Sequence, residues 1–331
     1  MYLIAEIGQA HEGSLGIAHS YIDALAQTGV DAIKFQTHIA EAESSSFEPF
    51  RVKFSYEDAT RYDYWKRMEF TEEQWLGLKK HCDEVGLEFV SSPFSNAAVD
   101  LLERIGVKRY KIGSGEVNNF LMLERIAQTA KPIMLSSGMS SFQELDVTID
   151  FLRSRKAEVQ VLQCTTSYPT SPENWGLNVI EELKSRYGLT VGFSDHSGDI
   201  YACLFAAAKG AEILEFHAVF HKEMFGPDAK ASLTIEQIKQ LAKGIDQFKT
   251  ATANRIDKNN NSQFTELKSI FEKSLSVNRE LASGHILSIS DLEAKKPKGK
   301  GIDARKFESV VGKKLNKNLD KWSFLNEEDL Q

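Results

Sequence analysis

The sequence predicts a (β/α)8 TIM barrel followed by a small β-rich domain. Three observations carry that expectation. Eight short apolar runs recur along the chain, amphipathic stretches of helical length separate them, and each run ends in polar or ionisable residues. Strand-then-helix repeated eight times is the pattern of a closed parallel barrel, with its chemistry at the carboxyl ends of the strands. Beyond residue 276 the pattern changes to short hydrophobic stretches broken by glycine, proline and charge, as in a compact β-rich unit.

The runs follow in order at residues 2–8, 32–38, 88–94, 109–116, 132–138, 159–168, 190–196 and 213–220. After the second run, residues 43–70 form a long excursion rich in aromatics and alternating charge. Loops of that length are uncommon inside compact domains and are often lids or binding loops. Its place after a strand favours a substrate loop over a surface decoration. A helix over 233–249 completes the barrel, giving a first domain at residues 1–250. Residues 251–275 read as a linker, with polar composition and three consecutive asparagines (Asn259, Asn260, Asn261). Residues 276–331 form the small domain, marginal alone at that size and suited to docking on a barrel.

Composition narrows the function classes. A chain of 331 residues with 42% hydrophobic residues and only 7 prolines has material for a large core. Its 47 acidic against 40 basic residues give a net charge of −7, which argues against general nucleic-acid binding. No apolar stretch approaches the roughly 20 residues that span a bilayer, and no signal-like segment opens the chain. Cys82, Cys164 and Cys203 lie far apart without metal-ligand spacing, so a reduced cytoplasmic protein is expected. Cys164 reads as a small buried hydrophobe with no adjacent base.

Several strand-end groups could carry chemistry. His196 ends the seventh run and His217 lies in the eighth, so both imidazoles should face one mouth and could share a divalent metal with open coordination positions. Asp195 and Glu215 are placed to orient them. Lys34 and Lys111 interrupt apolar runs and must face the mouth or pair with a carboxylate, because an unpaired buried ammonium is costly. Glu6 is the expected partner of Lys34. The turns Gly113-Ser114-Gly115-Glu116 and Ser136-Ser137-Gly138, flanked by Lys111 and Ser92, suit a phosphate or carboxylate.

Taken together, these segments resemble the sialic acid synthase family, the phosphoenolpyruvate-dependent nonulosonic acid synthases. The resemblance runs through Ala5-Glu6-Ile7-Gly8, His11-Glu12-Gly13-Ser14, Lys34-Phe35-Gln36-Thr37, Ser91-Ser92-Pro93-Phe94 and Tyr110-Lys111-Ile112-Gly113-Ser114-Gly115-Glu116. It continues through Leu135-Ser136-Ser137-Gly138-Met139, Cys164-Thr165, Tyr168-Pro169-Thr170, Gly192-Phe193-Ser194-Asp195-His196 and Gly226-Pro227-Asp228. The tail is similar to the family's antifreeze-like (SAF) domain through Lys296-Pro297 and Gly299-Lys300-Gly301-Ile302.

The resemblance implies that His196 and His217 hold a divalent metal, manganese or magnesium. It implies that Lys34, Gln36, Ser92, Lys111, Ser114, Ser136, Thr166 and Ser194 surround phosphoenolpyruvate, and that Glu6, Glu116, Tyr168 and Asp228 face an amino-sugar aldehyde. It also implies a domain-swapped homodimer in which Lys296, at the place of the family's usual arginine, reaches the sugar of the neighbouring barrel. The expected reaction joins phosphoenolpyruvate to an N-acylated amino sugar such as N-acetylmannosamine, with Glu6 or Glu116 moving protons. The segment after Glu215 lacks the family's usual basic residue and the continuation after its histidine, and the long loop lacks a clear sugar-binding asparagine. All departures fall on the sugar side. A metal-dependent phosphosugar aldolase or isomerase is the alternative enzyme, and a non-catalytic sugar-binding barrel the alternative class. A binding module built on the basic cluster from Lys295 to Lys300 is a further one.

Overall fold

The computed structural model describes residues 1–52 and 54–331. They divide into two compact units, Met1–Ala253 and Asn254–Gln331. In the first, the strands are β1 (Tyr2–Gly8), β2 (Ala32–Thr37), β3 (Glu88–Pro93), β4 (Tyr110–Ile112), β5 (Ile133–Ser136), β6 (Val159–Cys164), β7 (Val191–Asp195) and β8 (Ile213–Val219). Each pairs in parallel with the next, and β8 pairs with β1 to close the barrel. The helices are α1 (Leu15–Ala26), α2 (Ala40–Glu43), α3 (Arg61–Met68), α4 (Glu72–Val85), α5 (Asn96–Ile105) and α6 (Phe120–Ala127). They continue with α7 (Phe142–Ser154), α8 (Leu177–Tyr187), α9 (Ile200–Ala208) and α10 (Ile235–Ala253). The last was expected over 233–249. Leu233–Thr234 instead form a short strand, β9, beside β8, and the helix runs on to Ala253.

Local chemistry sets the helix ends. Thr71 and Ser141 cap α4 and α7 as capping boxes with Gln74 and Glu144, each satisfying backbone donors at the helix start. Gly86 and Gly106 close α4 and α5 in the left-handed conformation, at φ 82° and 83°, where a side chain would be strained.

The period of two along the strands sorts the side chains between two surfaces. Outward residues such as Ile33, Phe35, Phe89, Leu135 and Leu214 pack in the large core with the helices. Inward residues form layers. Ile4, Ala32, Val90, Met134, Leu162 and Ile213 make a dry apolar layer inside the barrel. Two residues further along the same strands come Glu6, Lys34, Ser92, Ser136, Cys164 and Glu215. Two further again, His217 follows Glu215, and on β7 His196 follows Ser194. The register aligns Glu6 with Lys34 on one side and with His217 on the other. Apolar filling thus gives way to charge at the carboxyl ends of the strands, as in barrels whose interior is packed and whose mouth reacts.

The excursion after β2 is organised by its aromatics. Tyr64, Trp65 and Met68 of α3 bury against Ala40, with Phe50, Phe54 and Tyr62 packed around them. Thr60 caps α3 in a further capping box with Asp63.

The second unit contains α11 (Thr265–Phe271), β10 (Ser274–Val277) and β11 (Leu292–Lys295), the two strands paired antiparallel. It begins at Asn254, so the stretch expected as a linker carries α11 and the start of β10. Its core consists of Leu275, Val277, Leu281, Leu287, Ile302, Val310, Leu315, Leu319 and Leu325. Buried Asp291 ties its turns together, accepting from Arg279, the Ser288 backbone and hydroxyl, and pairing with His285. Among the described residues, no helix is long and apolar enough to cross a membrane.

Candidate active site

The strand-end layer is a buried network of opposite charges. Lys34 lies 2.7 Å from Glu6 and 3.7 Å from Glu215, and its ammonium reaches the Ser92 hydroxyl at 3.5 Å. Lys111 lies 3.1 Å from Glu215 and donates to the Ser136 hydroxyl at 2.7 Å. Ser194 donates to Glu215 at 2.9 Å. All of these side chains are buried. Burial opposes ionisation of Glu6, but the charges of Lys34, His217 and Lys111 outweigh it and hold the carboxyl well below the usual range. Burial likewise works against the Lys34 ammonium, and Glu215 and Glu6 more than restore it, raising its pKa. Desolvated charges persist here because each has a close partner.

Above this layer the two histidines converge. Their ring centroids are 5.3 Å apart, and Tyr168 packs against His196 at 4.1 Å. The Nδ1 of His196 faces the Thr165 carbonyl at 3.1 Å, which leaves Nε2 as its free nitrogen. The Nε2 of His217 lies 3.3 Å from Glu6. Two imidazoles on one ion, with bonds of about 2.1 Å, leave their centroids at about this separation. Among the described residues there is no group of three or more His, Cys, Asp or Glu arranged to hold a metal. The described donors that could reach one ion here are the two imidazoles alone, a set that would leave most coordination positions to water and substrate. It does not fit a closed structural site.

A cavity of about 450 Å³ opens beside the histidines, with His217 in its lining and His196 behind Tyr168 outside it. Gln36, Ser114, Glu116, Thr166, Tyr168, His217 and Asp228 all line it. The charged floor of Lys34, Lys111, Ser92, Ser136 and Ser194 lies one layer deeper in the barrel. One wall is a tight cradle of small groups. The Gly138 N–H donates to the Ser114 hydroxyl at 3.2 Å, and Ser114 donates to the Cys164 sulfur at 3.7 Å. A Cβ on Gly138 would stand 2.5 Å from the hydroxyl oxygens of Ser114 and Thr166. Glu116 is partly buried, and desolvation raises its pKa although Asn119 donates to it. The excursion after β2 contributes Glu43, Glu48, Arg51, Phe54 and Trp65 to the opposite wall.

The barrel thus gathers all the expected site residues of the first unit. Lys296 belongs to the second unit, where its ammonium lies over the Phe271 ring at 4.8 Å. Three expectations are corrected. Glu215 does not orient the histidines; pointing inward two residues before His217, it serves Lys111, Lys34 and Ser194. Asp195 faces out of the barrel, accepting from the Ser197 backbone and hydroxyl, and burial pushes its carboxyl up to about 7. Cys164 does have a neighbouring imidazole, its sulfur lying 3.8 Å from His196 Nδ1, the nitrogen that also faces the Thr165 carbonyl. Burial would raise that thiol, but His196, with Lys111 and Ser114, more than offsets it and its pKa is lowered.

Sequence reasoning missed four groups. Arg51 of the long loop pairs with Asp228 at 3.1 Å and lies over the Tyr168 ring at 4.3 Å. Gln9, His38 and Glu43 line the cavity together. The alternating charge of the loop was the only signal for Arg51, the pattern Thr37-His38 with Glu43 five residues on was the signal for His38 and Glu43, and no spacing singled out Gln9.

A closed parallel barrel with paired buried charges under an open mouth places the chain among the barrel enzymes. The chain belongs to the NeuB family, whose family model matches residues 21–257. It is 33% identical to N,N'-diacetyllegionaminic acid synthase of Campylobacter jejuni, covering 98% of each chain. It is 30% identical to human N-acetylneuraminate-9-phosphate synthase over 95% of this chain and 88% of that one. Among solved structures, the N-acetylneuraminic acid (sialic acid) synthetase of Leptospira borgpetersenii, in complex with citrate, matches with a TM-score of 0.70. That match has 29% identity and covers 81% of this chain and 90% of the other. The relatives are synthases of sialic-type acids, and this chain is one of their family.

Proposed function

We propose that the protein condenses phosphoenolpyruvate with the open-chain aldehyde of an N-acylated amino sugar, giving a nonulosonic acid and phosphate by C–O cleavage. The observation that carries this reading is the pair of buried lysines, Lys34 and Lys111, held by Glu6 and Glu215 directly beneath two converging histidines. A small substrate with a phosphate and a carboxylate needs such fixed positive charge, and an aldehyde needs an electrophilic centre beside it.

In this reading C3 of phosphoenolpyruvate bonds to the aldehyde carbon, whose oxygen gains a proton. Water then adds at C2 and the C2–O bond breaks; the water oxygen becomes the ketone as it gives up both protons, one balancing that taken by the aldehyde oxygen and one leaving on phosphate. A divalent metal, manganese or magnesium, held by His196 and His217 would polarise the aldehyde oxygen. The chain's own groups do the rest. Lys34 and Lys111 neutralise the anion, steadied by Ser92 and Ser136, while Ser194 donates to the Glu215 they share. Ser114, Thr166 and Gly138 shape its cradle, and Gln36 holds Glu6. Positioning of this kind converts a bimolecular encounter into an approach at about 3–3.5 Å. Glu6, kept ionised by its cationic neighbours, is a weak base and acts as a fixed negative charge between Lys34 and His217. Glu116, whose pKa burial raises, is the carboxyl better suited to exchange a proton. Tyr168 shields one face of His196 from water, and Asp228 with Arg51 stands on the sugar side.

The second unit, read as a SAF domain, caps the site of a partner barrel through Lys296 in a homodimer. A cytoplasmic setting is part of this reading and is supported by three buried, unpaired thiols. A panel of amino sugars with phosphoenolpyruvate and manganese, read by released phosphate and product mass, tests the reaction. It should include N-acetylmannosamine, its 6-phosphate and 2,4-diacetamido-trideoxyhexoses. Phosphate release requiring one of these sugars supports the reading. An adduct formed without phosphate release indicates an aldolase.

A further inference from the structure

We propose that His38, its Nδ1–H held by Glu43, is a positioning residue that fixes Gln9, Gln36 and through them Glu6. His38 is buried just beyond β2, sandwiched between Trp65 at 4.0 Å and Phe94 at 4.6 Å with nearly parallel rings. Its Nδ1 lies 2.6 Å from Glu43, whose second oxygen accepts from the Ile39 backbone at 3.2 Å. Its Nε2 lies 3.1 Å from the Gln9 amide nitrogen. That same nitrogen donates to the Gln36 carbonyl oxygen, and the Gln36 amide nitrogen donates to Glu6 at 2.6 Å. Glu6 in turn meets Lys34 and His217. The proposal rests on the condensing role of that cluster.

The chain of hydrogen bonds has a direction, and Glu43 sets it. An ionised carboxylate only accepts, so His38 carries a proton on Nδ1, and the neutral ring then presents a lone pair at Nε2. Gln9 must then turn its NH2 towards His38, which leaves its second N–H for the Gln36 oxygen. Gln36 is thereby forced to aim its own NH2 at Glu6. Were Nε2 the protonated nitrogen, Gln9 would turn over and two amide oxygens would face each other. Gln36 would then keep only the longer approach of His38 Nε2 to its oxygen, at 3.4 Å, a weaker hold on the amide that donates to the carboxylate beside His217. A side-chain amide is symmetric in shape, so packing alone cannot select between its two orientations. The aromatic sandwich holds the imidazole plane and Glu43 its tautomer, which is how orienting groups act behind reacting ones.

Two substitutions and one spectrum test this. His38→Phe keeps a ring between Trp65 and Phe94 and removes both nitrogens. It should lower kcat by about 10–100-fold, with smaller changes in either KM and a nearly unchanged melting temperature. His38→Gln, which can return an acceptor towards Gln9, should restore most of the lost turnover. Imidazole ¹⁵N shifts of the full-length protein should report a neutral Nδ1–H tautomer at His38. That measurement needs no substrate, so its result stands apart from the condensation reading. Wild-type kcat in His38→Phe, a His38→Gln enzyme as poor as His38→Phe, or an Nε2–H tautomer would each overturn the proposal.

Discussion

A buried ammonium costs several kcal/mol unless it is paired, and Lys34 and Lys111 solve this by sharing Glu215 at 3.7 and 3.1 Å. Each ammonium has three N–H donors. Lys111 spends two on Glu215 and Ser136, which leaves capacity for an anion. Lys111→Ala should therefore weaken phosphoenolpyruvate binding far more than sugar binding. Removing a charge-assisted hydrogen bond from a closed site costs about 1.5–3 kcal/mol, or roughly 10–150-fold in the Michaelis constant. An unchanged constant for phosphoenolpyruvate would make the lysine purely structural. The histidines give a second residue-level expectation. Chelation should abolish turnover and manganese should restore it, while His196→Ala and His217→Ala stay inactive with the barrel folded by circular dichroism. Full turnover in chelator would remove the metal from the account. The sequence made these residues legible because each interrupts or ends an apolar run. It left the pairing of Glu215 obscure, because a carboxylate two residues before a histidine reads equally well as that histidine's orienting partner. Only the layering of the barrel interior puts Glu215 one level down, among the lysines.

At the scale of elements, the strands were easy to read because polar residues break an otherwise continuous apolar run at the barrel mouth. Inward-facing pairs such as Ile4 and Glu6, Ala32 and Lys34, or Ile213 and Glu215 pass from aliphatic to charged within two residues. Such a change is hard to produce in a purely structural strand. The long excursion after β2 was legible as a binding loop but not in its packing. His38 meets Gln9 from β1's end, Trp65 from α3 and Phe94 from β3's end, and no spacing in the sequence links these. Arg51 is similarly 177 positions from Asp228, its partner. The turn after β5 offers a clean test of how tightly elements shape the site. Gly138→Ala places a Cβ 2.5 Å from two hydroxyl oxygens and 2.9 Å from the Cys164 sulfur. Overpacking of this kind costs about 1–3 kcal/mol, which a barrel with so large a core should tolerate. Activity should fall by at least about tenfold while the melting temperature changes modestly, because a displacement of about 1 Å is enough to spoil a reacting geometry. Wild-type turnover in Gly138→Ala would mean that the cradle is not part of the site.

For the whole molecule, the barrel supplies a charged floor, a cavity and two histidines, and the second unit has a separate core of nine buried aliphatic residues. Capping of one barrel by the small domain of a second chain makes a distinct prediction. His196→Ala and Lys296→Ala chains, each weak alone, should regain part of their activity when mixed, since one hybrid site is intact. A tether makes such docking effectively intramolecular within a dimer, so even a weak cap is present. Absence of complementation in verified mixed dimers would assign Lys296 to its own barrel or to no site. The central claim, a phosphoenolpyruvate-dependent condensation with C–O cleavage, is tested most directly by isotope. Phosphoenolpyruvate carrying ¹⁸O at the bridging position should be turned over with manganese and the sugar that supports phosphate release. The account predicts that the label leaves in inorganic phosphate and that the product ketone takes its oxygen from water. Label retained in the sugar acid, or no phosphate released with any amino sugar, would contradict it.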